Sequence, residues 1–183
     1  MVAGVVDPRR LVFVDECGTH TSLAPVYGYS PKGERLNLSV PRNRGPNTTL
    51  LASMTVKGMG PSMAVNGSTT AKVFEAYLKR FLVPALETGQ VVVMDRLPAH
   101  KPKRVRELIE RRGCELLYLP SYSPDYNPIE EAFSKIKEIL RRSAARTREA
   151  LVEGMGRALS AISSQDARSF FEHAGYHPTV QLL

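Results

Sequence analysis

QVVVMD, residues 90–95, sets three valines and a methionine in one apolar run and closes it with an acid. A run this short and this β-branched predicts a strand buried on both faces. LVFVDE (11–16) repeats the signature, with Asp15 placed after its run as Asp95 is after this one. ELLYLP (115–120) is a third apolar strand. Segments with helical spacing, AKVFEAYLKRFLVPAL (71–86) and KPKRVRELIERRG (101–113), alternate with these strands. Upstream, GYSPKGERLNLSVP (28–41) has a Pro/Gly turn and then alternating Leu36, Leu38 and Val40, which predicts a hairpin strand. TTLLASMTVKG (48–58) predicts the next strand, ended by the Gly/Pro cluster GMGPS. Further helices are expected after residue 128, over 147–163 and over 166–175. The expected class is α/β: a mixed five-stranded sheet, three antiparallel strands and then alternating helix and strand, flanked by helices.

The 183 residues suffice for one domain with a real core, and no composition break marks a second. The expected unit is 1–183, with its core at about 10–142 and closing helices at 147–175. A hydrophobic content of 43% excludes a disordered chain. The net charge of +7 points to a polyanionic partner, nucleic acid before membrane, because no long apolar run or strongly amphipathic basic helix is present. Cys17 and Cys114 are too few for a disulfide framework, lack metal-ligand spacing and are expected as reduced thiols near the core. MVAGVVDPRR has no signal-peptide organisation, which predicts a cytosolic location.

One acid at a strand end is ordinary turn chemistry. Two acids on neighbouring strands would meet at one edge of the sheet. At about 4 Å such a pair repels by roughly 4 kcal/mol for an effective dielectric of 20. The pair then needs a cation, or one acid must hold its proton. Hard oxygen donors without a Cys/His set select Mg²⁺ or Mn²⁺ rather than zinc.

SYSPDYNPIEEAFSKIK (121–137) adds a third acid. Asn127 predicts an N-cap, Pro128 the first turn, and Glu130 the capping-box position. Ile129, Ala132, Phe133, Ile136 and Leu140 form the stripe that faces the sheet. At about 100° per residue Glu130 lies on the flank of that stripe and Glu131 points away. Glu130 can therefore reach a strand end, while Glu131 is expected as a solvated first-turn acid. Lys137 and Arg141 continue the Glu130 flank as a basic edge suited to a phosphate backbone.

VDECG, YGYSPKGER, MDRLPAHK and LPSYSPDYNPIEEAFSKIK together resemble the catalytic domain of mariner-type insertion-sequence transposases, in the DDE superfamily. The resemblance covers roughly residues 10–142, and the 34 residues between Asp95 and Glu130 match the interval of that branch. It implies a ribonuclease-H-like fold, and a catalytic triad of Asp15, Asp95 and Glu130 holding two Mg²⁺ or Mn²⁺ ions. It further implies cleavage of DNA at transposon ends, transfer of the 3′-end into target DNA at a TA dinucleotide, a homodimer on DNA and a bacterial, nucleoid-associated setting.

The chain departs from the family pattern at Arg96, where Asn usually follows the second Asp. It also starts its first catalytic strand almost at once, so an N-terminal helix-turn-helix half is expected to be absent and supplied separately or by frameshifting. Arg42, Arg44, Arg96, His100, Lys101, Lys137 and Arg141 are the expected DNA contacts. His100 is equally readable as a turn or cap histidine, Asp125 as a turn acid and Glu16 as peripheral. RRSAARTR (141–148) reads as a second basic tract. Two alternatives stay open: an inactive remnant that binds DNA non-specifically, and a host ribonuclease-H-like nuclease. The SPDYNPIE block fits the second of these poorly.

Overall fold

The computed structural model describes residues 6–40, 45–100, 103–121 and 123–177. Five strands, β1 (Leu11–Thr19), β2 (Thr48–Thr55), β3 (Gly58–Asn66), β4 (Val91–Met94) and β5 (Glu115–Tyr118), form one sheet in the order β3-β2-β1-β4-β5. The pairs β1–β2 and β2–β3 are antiparallel, and β1–β4 and β4–β5 are parallel. Helix α1 (Ala71–Tyr77) runs through a π-helical turn (Leu78–Leu82) into α2 (Val83–Ala85). It is followed by α3 (Lys103–Glu110), α4 (Ile129–Ser143), α5 (Arg148–Ser160) and α6 (Ser164–His173).

Strand alternation divides the core into two layers. Leu11, Phe13, Cys17, Val91 and Val93 pack with α4, α5 and α6, whereas Val12, Val14, Val92 and Met94 pack with α1 and α3. On the first face Phe13 meets Phe171 and Tyr176 edge-on, with ring centroids 5.3 and 5.1 Å away. Burying each such ring contributes about 1.5–3 kcal/mol. Lys135 ties α4 to α6 through Asp166 at 2.7 Å, and Asp166 closes a capping box with Ser163. The Lys135 ammonium, helped by Ser163, holds Asp166 down at about 2.

Register then places the acids. Phe13 pairs with Val93 in the parallel β1–β4 ladder, and Asp15 and Asp95 each follow two residues later. By alternation both belong to the face covered by α4.

Two expectations about strands are overturned. Residues 28–40 form no strand, and Leu36 and Leu38 stay about half exposed, at 53% and 52%. Their alternation meets no partner strand among the described residues. The third antiparallel strand is instead β3, which runs through the Gly/Pro cluster that the sequence suggested as a terminus. Pro61 is tolerated because β3 is an edge, where a missing N–H costs no ladder bond. The register shifts between Ala52 and Met54, and the Pro61 carbonyl accepts from Tyr77 Oη (2.8 Å) and Ser53 Oγ (3.3 Å).

Candidate active site

Asp15, in β1, is 5% exposed. Its Oδ1 accepts the Glu16 backbone N–H at 2.7 Å, and its Oδ2 accepts the Asn127 side-chain amide at 2.6 Å. Burial pushes this carboxyl up, and repulsion from Glu130 and Asp95 adds to it. The Glu16 N–H and the His100 charge pull the other way, leaving Asp15 at about 7.

Asp95 follows β4 and is held through Oδ1, which accepts the Leu97 backbone N–H (3.0 Å) and faces His100 Nδ1 at 2.6 Å. Its side chain is 35% exposed. His100 has no exposed surface, and its ring lies on Phe74 with centroids 4.2 Å apart. Burial works against a charged imidazole here, but the carboxylates of Asp95 and Glu16 outweigh it and hold His100 up at about 9. Glu130, exposed in the first turn of α4, completes the group.

Asp15, Asp95 and Glu130 together line a cavity of about 390 Å³, walled on one side by Arg96 and Leu97 and on the other by Leu119, Pro120, Pro124 and Asn127. A second cavity of about 420 Å³ opens on the same three acids and is lined by Glu16, Asn47, Thr49, Ser68 and Thr69. Among the described residues no three His, Cys, Asp or Glu side chains are already gathered around one point that could hold a metal ion. The donor set nevertheless fits a hard divalent cation. It consists of carboxylate oxygens, one of them so poorly solvated and so repelled by its neighbours that it keeps its proton near neutrality. A cation would remove that penalty.

A family model described as DDE superfamily endonuclease matches residues 10–152. The chain belongs to the DDE superfamily endonucleases. This DDE domain is 27% identical to the Tc1 transposase of Caenorhabditis elegans over 138 residues, 73% of this chain and 50% of that protein. It is 32% identical to the Tcb1 transposase of Caenorhabditis briggsae over 87 residues, 45% of this chain and 32% of that protein. The chain thus spans half or less of the curated relatives it matches. Its fold is ribonuclease-H-like, as in the Mos1 mariner transposase. The Mos1 paired end complex with Mn superposes with a TM-score of 0.74 at 19% identity, covering 92% of this chain and 53% of that one. The Mos1 catalytic domain superposes with a TM-score of 0.62 at 17% identity, covering 92% and 78%.

The other expected site residues of the DDE domain are placed variously. Arg96 is exposed and lines the acid cavity. His100 is too deeply buried to touch a phosphate, so its expected DNA contact is withdrawn in favour of its bond to Asp95. Lys137 stands near Cys17, whose thiol burial pushes up to about 11, and Arg141 lines a different cavity with residues 25–29. Neither lines the acid cavity. Arg42, Arg44 and Lys101 lie outside the described residues. Asp125 sits in the 3₁₀ turn Pro124–Tyr126, as a turn acid.

Two further expectations change. Asn127 is not the N-cap of α4, a position taken by Pro128 with no side-chain cap bond; its amide is spent on Asp15 instead. Glu131 is not merely solvated, since it pairs with His173 at 2.8 Å. Sequence reasoning missed Asn127 and Glu16 as members of the site. For Asn127 the signal was its place inside the SPDYNPIE block. For Glu16, whose Oε2 is 3.8 Å from His100 Nε2, no local signal existed. Among the described residues no helix is long and apolar enough to cross a membrane.

Proposed function

We propose that this DDE domain is the catalytic part of a transposase that cuts DNA phosphodiester bonds at transposon ends and joins the 3′-end to target DNA. The observation that carries the reading is the convergence of Asp15, Asp95 and Glu130 on one cavity, from the middle of β1, the end of its parallel neighbour β4 and a helix start. In this reading those three carboxylates hold two Mg²⁺ or Mn²⁺ ions. Bound there, the ions would activate a water or 3′-hydroxyl and stabilise the leaving oxygen of an in-line displacement. The residues of the chain do the rest. Asn127 fixes Asp15 with a neutral donor, so the acid stays available without a competing charge. The Leu97 N–H and His100 fix Asp95. Arg96, at the cavity wall, is positioned to meet a backbone phosphate.

DNA as partner is supported by the net charge of +7 and by the Mos1 complexes with transposon ends. Work as a dimer, with a helix-turn-helix part reading the ends, belongs to the same proposal. Arg96 favours one competing reading, a DNA-binding remnant that does not cut, because a fixed cation at the wall could oppose metal entry.

Incubation with supercoiled plasmid and Mg²⁺ or Mn²⁺ separates them. Metal-dependent nicking by the wild type that is absent from Asp95→Ala supports catalysis. Equal nicking by both, or none with either metal, rejects it.

A further inference from the structure

His100 lines neither cavity that contains Asp95, yet each of its ring nitrogens faces a carboxylate. Nδ1 lies 2.6 Å from Asp95 Oδ1, and Nε2 lies 3.8 Å from Glu16 Oε2. The latter two atoms are buried without hydrogen-bond partners, an arrangement that packing alone would not favour. The ring is held from outside as well. The His100 carbonyl accepts from Tyr118 Oη at 2.7 Å, its N–H donates to Leu97 at 2.9 Å, and Phe74 covers its face. Glu16 follows Asp15 directly in β1, so one imidazole links the strand that carries the first acid to the turn that carries the second.

Building on the reading of the acids as metal ligands, we propose that His100 is a positioning residue: it braces Asp95 against Glu16 and so fixes the orientation in which Asp95 meets the metal. With two donors on Asp95 Oδ1, from Leu97 and His100, rotation of that carboxylate is restrained before any ion arrives.

The test is Mn²⁺ affinity of the whole chain, read by electron paramagnetic resonance of unbound Mn²⁺, with circular dichroism confirming folding. Asp95→Ala is expected to lose binding. His100→Leu should weaken it about 10–100-fold, the usual cost of removing a group that orients a ligand. His100→Asn, which keeps an N–H for Asp95, should restore most of the loss. A packing role alone predicts the reverse order, with Leu better tolerated than Asn beside Phe74. Glu16→Gln should weaken binding several-fold in the wild type and add nothing to His100→Leu, because both act through one brace. Wild-type affinity in Asp95→Ala overturns the metal site itself and the brace with it. Lost binding in Asp95→Ala beside wild-type affinity in folded His100→Leu, or in Glu16→Gln should His100→Leu not fold, overturns the brace alone.

Discussion

Asp15 and Asp95 hold equivalent places, two residues beyond a paired Phe13 and Val93, yet they live in opposite surroundings. Asp15 is 5% exposed and has a neutral amide for its side-chain partner. Asp95 is 35% exposed on its side chain and has a charged imidazole. The difference comes from what each neighbouring element brings. The turn before α4 reaches Asp15 with the Asn127 amide, whereas the chain after β4 folds back and lays His100 against Asp95. Similar sequence signatures therefore yield one acid that resists ionising and one that is held through two contacts on a single oxygen. A pair of which one member tends to keep its proton spares the empty site the full repulsion of two buried charges.

The largest effect should come from deleting the shared chemistry. Glu130→Ala and Asp15→Asn should each lower metal-dependent plasmid nicking on the order of 10³-fold or more, the equivalent of several kcal/mol of transition-state stabilisation. Equal losses in both would show that the burial of Asp15 does not make it dispensable.

The second test concerns pH and uses metal-free protein. The folded state holds the Asp15 proton up to about pH 7, against about 3.8 for an ordinary aspartate. Stability from this group is therefore full below about pH 4 and is lost as pH rises to about 7, by an amount on the order of 4 kcal/mol. His100 is raised from 6.5 to about 9, so its contribution is full below about pH 6.5 and is lost as pH rises through about 9. Urea denaturation across pH 4–10 should show two successive declines. Asp15→Asn should erase the lower one and His100→Asn the upper.

Asn127→Ala comes next. It removes a buried donor from Asp15 and should cost about 1.5–3 kcal/mol in urea denaturation at pH 8, where Asp15 is ionised. At pH 4 the cost should shrink. Glu131→Ala should have the smallest effect, about 0–1 kcal/mol, because its pair with His173 is a surface contact. Nicking should be unchanged, in contrast to its neighbour Glu130.

The parts of this architecture that could be read directly were those where local pattern and tertiary role agree. VVVM and LVFV are buried because nothing else suits uninterrupted valines, and the acids after them had to meet once the strands paired side by side. Glu130 was separable from Glu131 because the apolar stripe of α4 fixes its rotation. What escaped were features decided by distant contacts. Alternation at Leu36, Leu38 and Val40 resembles a strand, but pairing needs a partner edge, and β2 takes β3 instead. Pro61 resembles a strand breaker, and only its place at the margin of the sheet makes it harmless. Asn127 has a sound local use as a cap, which hid its bond to a residue 112 positions earlier. His100 looks like a surface turn residue until α1 brings Phe74 over it.

Pro61 has a consequence for how copies of this chain behave in concentrated solution. An outermost strand ordinarily invites a neighbouring molecule to zip onto its unsatisfied backbone. At Pro61 there is no proton to offer, and the carbonyl is already engaged by Tyr77 and Ser53. The margin is thus blunted at its middle, where an incoming strand would find neither a proton nor a free carbonyl at this residue.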